Sequence, residues 1–136
     1  METLKAGCFL MDKANQSIAL IYREKQKDYS FPKGHVDPGE DIRSTAIRET
    51  AEEIKRVAII LDEYEPVVER YTTPMGEKCA CYMYMALDGG ISNNTSEDTH
   101  KLIWTKFDKV EETLSYDSLR NTWRAVKSTI KDIIDK

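Results

Sequence analysis

Glu49, Glu52 and Glu53 stand at spacings of i, i+3 and i+4, so a helix through them places three carboxylates on one ridge. Like charges at such spacing cost a helix roughly 0.2–0.5 kcal/mol per pair, so the arrangement calls for a positive partner. Hard divalent cations, Mg²⁺ above all, take oxygen ligands from a few carboxylates together with waters and substrate phosphates. The bland alternative is a solvated acidic helix face, and the flanking residues argue against it. Lys33 and Gly34 lie upstream: Gly34 allows close approach of backbone to a ligand, and Lys33 offers a point charge suited to phosphate. Arg48, one residue before Glu49, has the fork geometry to fix a neighbouring carboxylate by a bidentate pair.

These residues form a longer pattern: Gly34, five residues, Glu40, seven residues, Arg48-Glu49, two residues, and Glu52-Glu53. The pattern resembles the signature box of the Nudix hydrolase family. The resemblance implies an α/β/α sandwich around a mixed sheet, α+β in broad class, and metal-dependent hydrolysis of a phosphoanhydride. It assigns Glu49, Glu52 and Glu53, with the Gly34 carbonyl, to one or more Mg²⁺ ions, with Mn²⁺ as the alternative metal. It makes Glu49, oriented by Arg48, the first choice of general base, with Glu52 also in the catalytic set. A further acid from a loop ahead of a tryptophan is expected in several subfamilies, and Glu97 and Asp98 precede Trp104 here. Glu40 is expected to support the loop or an outer metal shell. The sequence departs from the pattern at Thr50, where an aliphatic residue is usual, and at Lys55 and Arg56, where glycine and an aliphatic residue are usual. Lys55 and Arg56 suit the negative end of a helix dipole, and Ile54 or Val57 is expected to supply the missing apolar contact.

The stretch Tyr29-Ser30-Phe31-Pro32-Lys33-Gly34-His35 is similar to the branch that hydrolyses diadenosine tetraphosphate, as is the pair Lys78 and Tyr82. That similarity implies a dinucleoside polyphosphate substrate bound by Lys33, His35, Tyr29, Phe31, Lys78 and Tyr82. Within the same chemistry the alternatives are a nucleoside triphosphate pyrophosphatase, an RNA 5′-pyrophosphohydrolase and a diphosphoinositol phosphate hydrolase. A catalytically silent nucleotide-binding or protein-interaction module is the alternative of another class, and it would be favoured by lost box glutamates. None is lost.

The elements that must position these residues follow from periodicity. Residues 4–12 and 17–23 read as strands joined by a turn around Asn15, and 41–55 as a helix with Ile42, Ala46 or Ile47, and Thr50 or Ile54 toward the core. Strands are expected at 57–61, 66–71, 79–87 and 101–107, with Asp88-Gly89-Gly90 ending the third of these. Cys79, Cys81, Met83 and Met85 should face one way and Ala80, Tyr82 and Tyr84 the other. Leu119, Trp123, Val126, Ile130 and Ile133 predict an amphipathic C-terminal helix.

The 136 residues are read as one domain, 1–136. A net charge of −4 argues against a broad surface for nucleic acid, and the sequence has neither a membrane-spanning apolar run nor a signal-peptide layout, so a cytoplasmic location is expected. Three cysteines without a CxxC pair fit reduced core thiols better than disulfides or zinc. Nothing in the pattern specifies an oligomeric state.

Overall fold

The computed structural model describes residues 1–136. Its framework is an eight-stranded mixed sheet between helices. The strands are β1 (Thr3–Asp12), β2 (Ser17–Arg23), β3 (Asp28–Ser30), β4 (Lys33–His35), β5 (Arg56–Ile60), β6 (Val67–Thr72), β7 (Lys78–Ile91) and β8 (Lys101–Lys106). Helix α1 spans Ile42–Ile54, a single turn α2 Val110–Thr113, and α3 Asp117–Ile134. No helix is long and apolar enough to cross a membrane.

The centre of the sheet is a parallel pair, β1 beside β7, in register from Thr3 opposite Cys79 to Met11 opposite Leu87. Both strands are covered on both faces, so both alternate between two apolar environments rather than between core and water. Phe9 and Met11 of β1 join Cys81, Met83 and Met85 of β7 under α3, where Trp123, Val126, Ile130 and Ile133 complete one core. Cys8 and Leu10 turn the other way and join Ala46 and Ile54 of α1 with Ala58 and Ile60 of β5. The expected alternation along β7 and the apolar stripe of α3 are therefore both present. Trp123 is buried against Phe107 and Phe31, with ring centroids at 5.2 and 6.4 Å. Burying an aromatic side chain of this kind stabilises the fold by about 1.5–3 kcal/mol.

Several boundaries differ from the sequence expectation. Lys33–His35 is a strand rather than loop, pairing antiparallel with Lys5–Gly7 of β1. β7 does not end at Asp88-Gly89-Gly90 but continues to Ile91, because β5 keeps pairing with it through a register shift between Arg56 and Ala58. Arg56 is the first residue of β5 and pairs with Asp88, while Lys55 is the helix C-cap, so neither basic residue lies in the last helical turn. Ile54 is buried and Val57 exposed, so the apolar contact comes from Ile54.

One contact decides where β4 can lie. A β-carbon on Gly7 would sit 2.1 Å from the Pro32 carbonyl oxygen and 2.8 Å from the Lys33 β-carbon. Backbone cannot yield there as a side-chain tip can, so the approach of β4 to β1 depends on glycine. Gly7→Ala is expected to lower stability by about 1–3 kcal/mol, the usual range for overpacking. Urea denaturation measures it; an unchanged midpoint would show that the two strands do not need this closeness.

Candidate active site

Helix α1 is held at its start by Asp41, whose carboxylate accepts the Ser44 N–H at 2.7 Å and the Ser44 hydroxyl at 2.9 Å. This cap satisfies an otherwise unpaired donor and sets the phase of the glutamates that follow. Glu40 ties the preceding loop to the same helix: it accepts from Thr45 Oγ1 at 2.6 Å and from Arg48 Nε and Nη2 at 2.7 and 2.9 Å. Those bonds hold the Glu40 carboxyl down at about 2, with Arg48 the largest cause. Arg48 therefore spends its bidentate face on Glu40, not on Glu49. Its Nη1 reaches Glu49 at 2.8 Å and Glu52 at 3.0 Å, and its Nη2 donates to the His35 carbonyl at 2.9 Å. One guanidinium thus joins the loop, β4 and two ridge carboxylates, and these charges hold it firmly protonated.

Gly34 meets the ridge directly. A β-carbon there would fall 1.9 Å from Glu49 Oε2, so the absence of a side chain is what lets the Glu49 carboxylate lie against β4. Glu53, one turn on, is only 7 % exposed and accepts the Lys33 N–H at 2.9 Å. Burial, and then the neighbouring Glu49 charge, push its carboxyl up to about 8. Burial also raises Glu49, against the pull of Arg48. Thr50 is buried and donates to the Ala46 carbonyl at 2.8 Å, so the hydroxyl is satisfied within the helix where an aliphatic residue is usual.

Glu49, Glu52 and Glu53 open onto a hollow of about 410 Å³ that Glu97 and Asp98 also line. The long loop before β8 thus delivers both acids to the ridge. His100, at the end of that loop, donates its N–H to the Glu53 carbonyl at 2.8 Å and places Nε2 3.7 Å from Glu53 Oε2. No three His, Cys, Asp or Glu side chains are drawn into a ready coordination sphere. The donor set, hard oxygens around an open hollow, fits a cation that keeps water and phosphate ligands, as Mg²⁺ does, better than one needing a full protein cage.

From the hollow the surface turns basic. Lys33 and His100 also line an adjoining recess with His35, Lys5 and Arg23. Lys5, Lys33 and Arg23 then continue into a trough of about 420 Å³ with Tyr71 and Tyr116. Two ammonium groups lie over the Tyr71 ring, Lys33 Nζ at 5.5 Å and Lys5 Nζ at 5.6 Å from its centroid. Arg23 is fixed by Asp28, which is 3 % exposed and accepts from Arg23 Nε and Nη2 at 2.8 and 2.6 Å and from the Tyr116 hydroxyl.

Four expected substrate contacts do not line the trough. Phe31 is 2 % exposed, packs edge-on against Phe9 and borders only the adjoining recess. Tyr29 packs on Tyr22 at 4.8 Å and does not line the cleft. Tyr82 shares the face of β7 that packs toward α1, and Lys78, four residues before it, has the same parity. Lys5, opposite Cys81, lines the trough from the other face. A single residue of strand parity separates the two outcomes. Sequence reasoning missed Lys5, Arg23, Tyr71, Tyr116 and His100. The one available signal was Lys5, a cation at an inward position of an otherwise apolar strand.

Glu53 carries a stability consequence. Between its ordinary value of 4.5 and about 8, the folded metal-free chain holds a proton that the unfolded chain has released. Stability of that form therefore falls as pH rises through this window. Glu53→Gln removes the penalty. In chelator, the variant should match wild type near pH 4.5 and exceed it increasingly toward pH 8, by up to a few kcal/mol at about 1.4 kcal/mol per tenfold change in proton affinity. Denaturation midpoints across pH measure this, and a variant less stable than wild type at pH 8 would contradict the burial argument.

Comparison with known proteins places this architecture. A family model described as a NUDIX domain matches residues 1–125. An 8-oxo-(d)GTP phosphatase of Mycolicibacterium smegmatis is 31% identical over 111 residues, covering 82% of this chain and 34% of the relative. The m7GpppN-mRNA hydrolase dcap-2 of Caenorhabditis elegans is 28% identical over 134 residues, 93% of this chain and 17% of the relative. The chain therefore spans about a third and a sixth of the length of these curated relatives. A NUDIX hydrolase from Nitrosomonas europaea superposes with a TM-score of 0.77 at 14% identity, over 95% of this chain and 90% of that one. A C. elegans Ap4A hydrolase binary complex superposes with a TM-score of 0.72 at 21% identity, over 96% and 98%. At these identities the structural likeness establishes the fold alone.

Proposed function

This chain belongs to the Nudix family, and from that premise we propose that it hydrolyses a phosphoanhydride bond of a nucleoside polyphosphate, with a dinucleoside polyphosphate such as diadenosine tetraphosphate as substrate. The observation that carries the reading is the continuity of an acidic hollow with a basic trough through Lys33, Glu53 and His100. A polyphosphate needs metal-binding oxygens where its bond breaks and fixed cations along the remaining phosphates. The ridge supplies the first and Lys33, Lys5 and Arg23 the second, and Tyr71 and Tyr116 line the same trough, beside which a nucleoside would follow its phosphates.

Hydrolases of this family generally use divalent metal ions. Glu49, Glu52 and Glu53, with the Gly34 carbonyl, are the residues that would hold Mg²⁺ or Mn²⁺. When bound, such an ion polarises a phosphoryl oxygen and increases the acidity of water. Glu49 accepts the proton of the attacking water: it borders the hollow, Arg48 fixes its orientation, and burial raises its basicity above that of an exposed carboxylate. Glu97 and Asp98 supply a second acceptor at the hollow. Lys33 neutralises the phosphate nearest the ridge, and its own N–H holds Glu53 in place. Lys5 and Arg23 hold the phosphates beyond it.

Chromatographic separation of the nucleotide products formed with Mg²⁺ from dinucleoside polyphosphates, nucleoside triphosphates including oxidised guanine forms, and triphosphorylated RNA tests the reading. Dinucleoside polyphosphates should be turned over with the highest kcat/KM, and Glu49→Gln and Glu53→Gln should each lower kcat about 10²–10⁴-fold. Absence of turnover across the panel, or variants as active as wild type, would refute the hydrolase. Preference for a mononucleoside triphosphate would refute the substrate alone.

A further inference from the structure

Lys55 occupies a position where glycine would be the easier residue. It ends α1 with φ +56° and ψ +40°, the left-handed region that disfavours any β-carbon, and its N–H closes the helix on the Ala51 carbonyl at 3.1 Å. Glycine is the usual residue at this point of the family pattern, so the lysine accepts a backbone cost that the pattern avoids.

The side chain shows what offsets that cost. Lys55 Nζ donates to the Ser96 carbonyl and approaches Asn94 Oδ1 at 3.4 Å, while the Lys55 carbonyl accepts the Ser92 N–H at 2.9 Å. Both ends of one residue therefore grip the loop between β7 and β8. Inside the loop, Ser96 N–H donates to Asn94 Oδ1 at 2.8 Å and Asp98 N–H to Ser96 Oγ at 3.1 Å. The far end is fixed by His100 N–H on the Glu53 carbonyl. Glu97 and Asp98 lie between these two anchors and line the same hollow as Glu49, Glu52 and Glu53. Glu97 and Asp98 bring two further carboxylates to the hollow that Glu49 and Glu52 line, and like charges brought together favour outward relaxation of an untethered loop.

We propose that Lys55 is a positioning residue for the reaction: its ammonium group holds the 92–99 loop so that Glu97 and Asp98 remain at the carboxylate ridge. This rests on the ridge being the catalytic centre, as set out above. Lys55 touches none of the reacting groups; it acts through the loop.

Lys55→Gly is the decisive variant, because glycine suits the left-handed cap and removes only the tether. It should keep or raise the melting temperature, lower kcat about 10- to 100-fold with little change in KM, and speed amide hydrogen exchange at 93–99 while α1 stays protected. Lys55→Arg, which retains a donor of similar reach, should restore most of the lost kcat. In a Glu97→Gln, Asp98→Asn background, Lys55→Gly should cost little more, since both changes remove the same loop contribution. Full kcat in Lys55→Gly, unchanged exchange in the loop, or losses that multiply independently would each overturn the proposal. If wild type hydrolyses nothing in the panel, the hydrolase reading fails separately, and the exchange comparison alone decides whether Lys55 holds the loop.

Discussion

The site depends on one guanidinium among carboxylates. Arg48 contacts Glu40, Glu49 and Glu52, approaches Asp37 at 3.4 Å, and donates to the His35 carbonyl. Without it the first half of α1 and its leading loop would carry unpaired like charge at helix-neighbour spacing, which opposes the geometry a cation site requires. With it, Glu40 becomes a loop brace, while Glu49 and Glu52 are oriented yet keep oxygen atoms free for the hollow. Neutralisation is deliberately incomplete in a physical sense: Arg48 does not reach Glu53, which is buried by β4 and pays a desolvation cost that a metal ion would relieve.

That cost ties function to stability. A buried carboxylate next to another is stable as a neutral acid and becomes a good ligand only when a cation is present. The rest of the fold supports this locally unfavourable group. The β1–β7 pair buries apolar side chains on both faces, so α1 is clamped to one face and α3 to the other. Gly7 admits β4 against β1, β4 presents the Lys33 N–H to Glu53, and Gly34 gives room to Glu49. Each step is a close backbone approach that depends on the preceding one.

The second half of the site is built by the opposite logic. Lys5, Arg23, Lys33, Tyr71 and Tyr116 come from five separated segments and are collected in one trough. Asp28 fixes Arg23 through two part-buried hydrogen bonds, the Tyr116 hydroxyl in turn donates to Asp28, and both lysines lie over the Tyr71 ring, so the cations are preorganised rather than trailing in solvent. A fixed positive trough beside an acidic hollow suits a long anion with one reacting bond.

The ridge of Glu49, Glu52 and Glu53 and the arrival of Gly34 were legible in the sequence because they are local, whereas the bidentate pairing of Arg48 with Glu40 rather than Glu49 was not. Helical spacing sets which carboxylates share a ridge, and the glycine lies a short loop away. The strands of the core and the stripe of α3 were legible for the same reason, since periods of 2 and 3.6 are written into the chain. Which face of the sheet becomes the cleft was not. It is decided by strand pairing, and one residue of parity sent Tyr82 toward α1 and left Lys5 in the trough. Burial of Phe31, the collection of Arg23, Tyr71 and Tyr116, and the grip of Lys55 on a loop some forty residues later are likewise long-range contacts, chosen by packing among distant segments. The sequence by itself determined the acidic chemistry; the tertiary structure decided where the cations and the loop acids meet it.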